Sequence, residues 1–141
     1  MSLGGLKGMR TDKMNEKEKI LLIDDDETQF LIVQNMLNDE YEIITAKSGK
    51  EAIEYLYGGL VPNLILLDIL MPNMDGWEVF NRIRAISLLK NVPIVFLTSL
   101  SGKDEKKRGY EIGAAGYIMK PYNKPELMDR IKTAIDNVKK N

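Results

Sequence analysis

Residues Ile20 to Glu27 read Ile-Leu-Leu-Ile-Asp-Asp-Asp-Glu, an apolar run that passes directly into four carboxylates. A short run of this kind suits a strand buried on both faces, as in a parallel sheet covered by helices. Carboxylates packed together repel one another, so the acidic end needs a helix N-terminus, a metal ion or open solvent. Asp26 precedes a segment with apolar Phe30, Ile32, Val33, Met36 and Leu37, and it reads as the cap of that helix.

The same strand-then-helix pattern continues outward. Tyr41 to Ala46 (YEIITA) reads as a second strand, and Ser48-Gly49-Lys50-Glu51 as a capping box opening a helix that runs through Tyr57 to Gly58-Gly59. Leu64 to Leu67 (LILL) is a third strand ending in Asp68. Asp75 and Glu78 bracket the next helix start, with Trp77, Phe80, Ile83 and Ile86 on its apolar stripe. Val92 to Leu97 gives a fourth strand followed by Thr98. The charged segment Lys103 to Ile112 reads as a weak helix because it carries Gly109. GYIMKP holds a fifth strand ending at Lys120, and Asn123 to Lys139 forms a closing amphipathic helix.

Five strands alternating with five helices predict an α/β, flavodoxin-like, doubly wound parallel sheet of order 2-1-3-4-5. Residues 1–18 read as a flexible leader and residues 19–141 as one domain. Met1-Ser2-Leu3 has the look of an expression remnant, and Met9 and Met14 are alternative starts.

Composition narrows the chemistry. The chain of 141 residues has 20 basic and 21 acidic side chains and a net charge of −1, so nothing advertises nucleic acid or an anionic membrane as a direct partner. With no cysteine there is no disulfide, thiolate catalysis or zinc–sulfur site. With no histidine there is no imidazole base or ligand. No apolar run approaches transmembrane length, and the expectation is a soluble, cytoplasmic protein.

In a doubly wound sheet the ligand crevice lies at the carboxyl ends of the strands. Asp24, Asp25, Asp68, Thr98 and Lys120 all fall on that edge. Singly, each has a plain reading: a loop carboxylate, a turn residue, an exposed hydroxyl, a surface lysine. Together, an acidic pocket suits a hard cation such as Mg²⁺, and a lysine and a hydroxyl complete a set able to stabilise a phosphoryl group in transfer to a carboxylate.

From about Ile20 to Lys139 the chain resembles the receiver domain of two-component response regulators, with a chemotaxis-regulator-like outline. LLIDDDE, LILLDILMPNMDG, VFLTS and GYIMKPY carry the likeness, in order and at characteristic separations. The resemblance implies that Asp68 is the phosphoacceptor, and that Asp25, Asp68 and the Leu70 backbone carbonyl bind Mg²⁺, with Asp24 acting mainly through water. It further implies that Lys120 pairs with Asp68 at rest and with the phosphoryl group afterwards. Thr98 bonds a phosphoryl oxygen, Tyr117 is the switch aromatic that turns inward when Thr98 moves, and the Lys120–Pro121 bond is cis. The implied donor is a histidine kinase or phosphotransfer protein. Phosphorylation is then expected to change the surface of the fourth helix, fifth strand and last helix for a downstream protein, with a homodimer through that face compatible.

Leu70 and Leu100, two residues beyond Asp68 and Thr98, are apolar and cannot position an attacking water, which predicts a persistent aspartyl phosphate; a packing role is the alternative. Such a protein phosphorylates itself and is not a conventional turnover enzyme. A haloacid dehalogenase-type phosphatase is disfavoured because Leu70 stands where its second aspartate belongs. A flavin binder is disfavoured because the acidic cluster would repel the flavin phosphate. The other standing alternative is a degenerate receiver that binds partners without phosphorylation.

Overall fold

The computed structural model describes residues 16–140. The leader reading for residues 1–18 therefore lies mostly outside the described residues, and Glu18 already belongs to the first strand. The strands are β1 (Glu18–Ile23), β2 (Tyr41–Ala46), β3 (Leu64–Leu67), β4 (Ile94–Thr98) and β5 (Gly116–Met119). The helices are α1 (Glu27–Leu37), α2 (Gly49–Tyr57), α3 (Gly76–Arg84), α4 (Lys103–Glu111) and α5 (Lys124–Lys140), with a short 3-10 helix at Ser87–Leu89 that the sequence did not suggest. All strand pairs are parallel and the order is β2-β1-β3-β4-β5, as expected.

Two strand limits moved, for physical reasons. β1 begins at Glu18 because Glu18 and Lys19 pair with Tyr41 and Glu42, so two charged residues are held by backbone pairing. β4 begins at Ile94 because Pro93 has no N–H for the ladder, although its carbonyl accepts from the Ile65 amide at 2.9 Å. At the other end β4 includes Thr98, which lies opposite Met119.

The sheet divides the apolar residues between two cores by strict alternation. Leu21, Ile23, Ile65, Leu67, Ile94, Phe96 and Tyr117 face α2 and α3, where Leu56, Trp77, Phe80 and Ile83 cover them. Ile20, Leu22, Leu64, Leu66, Val95, Leu97 and Ile118 face α1 and α5, where Phe30, Val33, Leu127 and Ile131 cover them. Burial on both sides explains why β1 and β3 read as unbroken apolar runs. By contrast, Gly109 is the one buried residue of α4.

Side-chain caps fix where four helices start. Asp26, Ser48 and Asp75 accept from the amides of Thr28, Glu51 and Glu78. The capping box at α2 is shifted by one residue: Glu51 reaches back to the amide of Lys47 at 3.3 Å, not to that of Ser48. Asn123 caps α5, its side chain accepting from the Glu126 amide at 2.8 Å. In the loop after β3, Asn73 sits in the left-handed region (φ 69°), which asparagine tolerates better than most residues.

Leu66 is fully buried in the central strand, whereas Leu88 is 80% exposed. Leu66→Ala should cost about 2–5 kcal/mol in urea unfolding and Leu88→Ala less than about 0.5 kcal/mol. Equal effects would contradict the core assignment.

Candidate functional site

The carboxyl edge of the sheet gathers the residues singled out above, and the four acids of the opening stretch have separate fates. Asp24 is fully buried; its Oδ1 accepts from the Asp26 amide at 2.9 Å and its Oδ2 from Lys120 Nζ at 2.7 Å. Asp25 is exposed. Asp26 caps α1, accepting from the Thr28 amide at 3.0 Å. Glu27 forms an exposed ion pair with Lys47. The four acids thus part ways: one takes a lysine, one a helix N-terminus, one solvent, and one a surface cation.

Asp68 stands directly after β3 and is only 5% exposed. Its Oδ1 accepts from the amide of Ile69 at 2.8 Å and from that of Leu70 at 3.4 Å. Its Oδ2 lies 3.5 Å from Lys120 Nζ. Carboxylate oxygens of Asp24, Asp25 and Asp68 all fall within 4.8 Å of one another. Burial pushes the Asp24 carboxyl above its ordinary range; Lys120 and the Asp26 amide oppose that rise, and the charge of Asp68 adds to it.

Lys120 is placed by β5. Its amide donates to the Thr98 carbonyl at 2.9 Å, and its bond to Pro121 is cis. Its ammonium spans both buried acids, but the shorter contact is with Asp24. The expected resting partner, Asp68, is thus the more distant of two. Asp24, expected to act mainly through water, is fully buried and ion-paired with Lys120.

Thr98 is fully buried, and its Oγ1 accepts from the Leu100 amide at 3.3 Å. Tyr117 is 2% exposed, its ring turned into the core. Its hydroxyl donates to the Leu100 carbonyl at 2.5 Å, and its ring lies 5.9 Å from that of Phe96. Leu100 therefore serves the site through both backbone groups, which the sequence reading missed. A backbone role leaves no mark on side-chain identity. Tyr122, just past Pro121, joins β5 to α1 by donating to Gln29 at 3.0 Å. Burial, aided by the Asp24 charge, pushes its phenol up to about 12, so it remains a donor at neutral pH.

The donor set of three carboxylates suits a hard divalent cation. Lys120 also offers an ammonium beside the Asp68 carboxylate, whose Oδ1 is fixed by two amides, and Thr98 ends the adjoining strand on the same edge with a hydroxyl. The Asp68 Oδ2 faces the lysine. A cation and fixed donors at such an edge suit the stabilisation of an anionic group.

The family described as response regulator receiver domain matches residues 20–132. A probable cyclic di-GMP phosphodiesterase of Vibrio cholerae is 37% identical over 118 residues, covering 84% of this chain and 26% of that protein. A probable transcriptional regulator, ycf27, of Porphyridium aerugineum is 39% identical over 126 residues, covering 89% of this chain and 51% of that protein. The chain thus spans about half or less of these relatives. Among solved structures, a putative response regulator from Chloroflexus aurantiacus superposes with a TM-score of 0.80 at 34% identity, covering 86% of this chain and 99% of that one. The chemotaxis protein CheY4 of Vibrio cholerae gives 0.78 at 31% identity, covering 84% and 99%.

Replacing Lys120 with Met leaves Asp24 buried beside Asp68 with no cation. At neutral pH this should cost about 3–5 kcal/mol in urea unfolding. Removing the ammonium raises the folded-state pKa of Asp24 further above its unfolded value, so the folded state holds the proton more tightly. The deficit should therefore shrink as pH falls toward that raised value. A deficit that grows on acidification would contradict the pairing.

Proposed function

Because this chain belongs to the response regulator receiver domain family, we propose that Asp68 accepts a phosphoryl group from a phosphohistidine on a histidine kinase or phosphotransfer protein in the cytoplasm. The observation that carries the proposal is the Asp68 carboxylate itself. Two amides hold its Oδ1, Lys120 stands at its Oδ2, and two further carboxylates lie within 4.8 Å. In the transfer, Oδ2 forms the new P–O bond as the P–N bond of the donor breaks, and the imidazole leaves with the electron pair and takes up a proton. Lys120 then neutralises charge on the phosphoryl oxygens. The Thr98 hydroxyl, which uses only an acceptor position toward Leu100, keeps its proton for a phosphoryl oxygen.

Asp25, Asp68 and the Leu70 carbonyl would hold Mg²⁺, with Asp24 in support, and the donor set fits a cation of that hardness. When bound, the ion supplies positive charge that offsets both the carboxylates and the incoming phosphoryl group.

Output would follow from a population shift at the α4–β5–α5 face. A helix that buries little is cheap to move, and α4 buries only Gly109. Tyr110 and Met119 are exposed there and available to a downstream protein or a second copy. Tyr117, its ring 5.9 Å from that of Phe96, lies under this face and would move with it. The reading without phosphorylation is weaker, since every group the transfer needs is present. Cyclic di-GMP hydrolysis and transcriptional control belong to the longer relatives named above.

Incubation with Mg²⁺ and acetyl phosphate, followed by intact mass spectrometry, should add one phosphoryl group. The adduct should require Mg²⁺, vanish in Asp68→Ala and form more slowly in Thr98→Ala. An unmodified wild-type chain that also fails to bind a beryllofluoride mimic would move the phosphorylation-independent reading to first place. Leu70 is 52% exposed beside the site and offers no hydrogen bond to water. The adduct should therefore persist, and Leu70→Asn should shorten its lifetime severalfold.

A further inference from the structure

Among the described residues, the loop from Asp68 to Gly76 joins the phosphoacceptor to α3, and two glycines touch it where no side chain fits. A Cβ placed on Gly76 would stand 2.3 Å from the Asp68 carbonyl oxygen and 2.6 Å from the Ile69 Cα. Both are backbone atoms, so no rotamer change relieves the overlap. The Gly76 amide also donates to the Ile69 carbonyl at 2.8 Å. The backbone of Gly76 lies outside the left-handed region, so its angles do not call for glycine. What the position needs is the missing Cβ.

Gly49 makes a related contact from another helix. A Cβ there would lie 2.5 Å from Val79 Cγ2 and 2.8 Å from Met74 Sδ. The first turn of α2 is thereby pressed against Met74, near the end of the loop, and against Val79 in the α3 helix that follows it. Neither glycine belongs to the set of acids, hydroxyl and ammonium that does the chemistry.

We propose that Gly76 and Gly49 are positioning residues for Asp68: by lacking side chains they let α3 and α2 seat the loop that fixes the Asp68 carboxylate and the Leu70 backbone. Only the functional consequence of this positioning rests on the phosphoacceptor reading of Asp68. An alanine at Gly76 must push the Asp68 carbonyl or α3 away by about an ångström to restore normal contact. Displacement of that size beside reacting atoms can lower a rate by about 10²-fold. An alanine at Gly49 meets side chains, and stiff Val79 is the harder neighbour. Its effect should be smaller and reversible by trimming Val79.

The test compares Gly76→Ala, Gly49→Ala, the double variant Gly49→Ala/Val79→Ala, and Leu56→Ala as a destabilised control in a core position of α2. Three quantities are measured: urea stability, Mg²⁺ affinity by calorimetry, and the amide resonances of Ile69 and Leu70 in metal-free protein. Those two amides report directly on Asp68 Oδ1. Gly76→Ala should move both resonances and weaken Mg²⁺ binding by about 10–100-fold, the scale found when groups that orient metal ligands are lost. Gly49→Ala should weaken binding severalfold, and adding Val79→Ala should restore affinity while leaving stability low. A purely structural role cannot produce that split.

The proposal falls if the glycine variants bind Mg²⁺ as tightly as Leu56→Ala and leave both amides unmoved. If Gly76→Ala does not fold, Gly49→Ala and its partner variant decide by the same criteria. If the wild-type chain itself binds no Mg²⁺, the functional reading fails, and the two amide resonances alone decide whether the glycines position Asp68.

Discussion

The contact of Lys120 with Asp24 and Asp68 is the interaction on which the rest of the edge depends. The topology forces β1 and β3 side by side, so the acids that follow them must meet. Their repulsion is worst for Asp24, which has no access to solvent. Lys120 reaches them only because β5 pairs with β4 and its amide is tied to Thr98. A buried pair of this kind adds little net stability, but removing one partner is expensive. The cluster thus behaves as a site in which stability is given up for a concentrated negative field.

Around that edge the molecule is built unevenly. Both faces of the sheet are sealed by apolar residues in alternating register, and α1, α2, α3 and α5 each contribute several buried side chains. The fourth helix does not. It sits over Tyr117 and Phe96 through Gly109, where a Cβ would lie 3.1 Å and 3.3 Å from the two rings. The residue that seemed only to weaken the helix also makes room for the inward ring. Arg108 adds a second tie, stacking its guanidinium 4.1 Å from the centre of the Trp77 ring at the start of α3.

How much could be read beforehand varied with the kind of signal. The strands of LILL and YEIITA were legible to the residue because burial on two faces, or β-branched and aromatic composition, writes itself into side-chain type. The ends of β1 and β4 were less so. Glu18 and Lys19 pair by backbone alone, and the proline before Ile94 acts by lacking a donor. The helix starts at Asp26, Ser48 and Asp75 were legible because a cap is a side-chain event. The work of Leu100 was not, since its amide and carbonyl serve Thr98 and Tyr117 while its side chain only packs. Gly76 drew no reading of its own, and its contact with Asp68 appears only once the loop has folded back.

By itself the sequence determined the strand order, the two-faced core and the set of chemical groups brought to one edge, because period, capping and topology are local or follow from general rules of chain connection. The tertiary structure alone decided how those groups share their partners. Which acid is buried, which of two carboxylates Lys120 approaches more closely, and where the Tyr117 hydroxyl finds its acceptor depend on distances between segments far apart in the chain. No local pattern encodes such distances; they emerge when all five strands are in register.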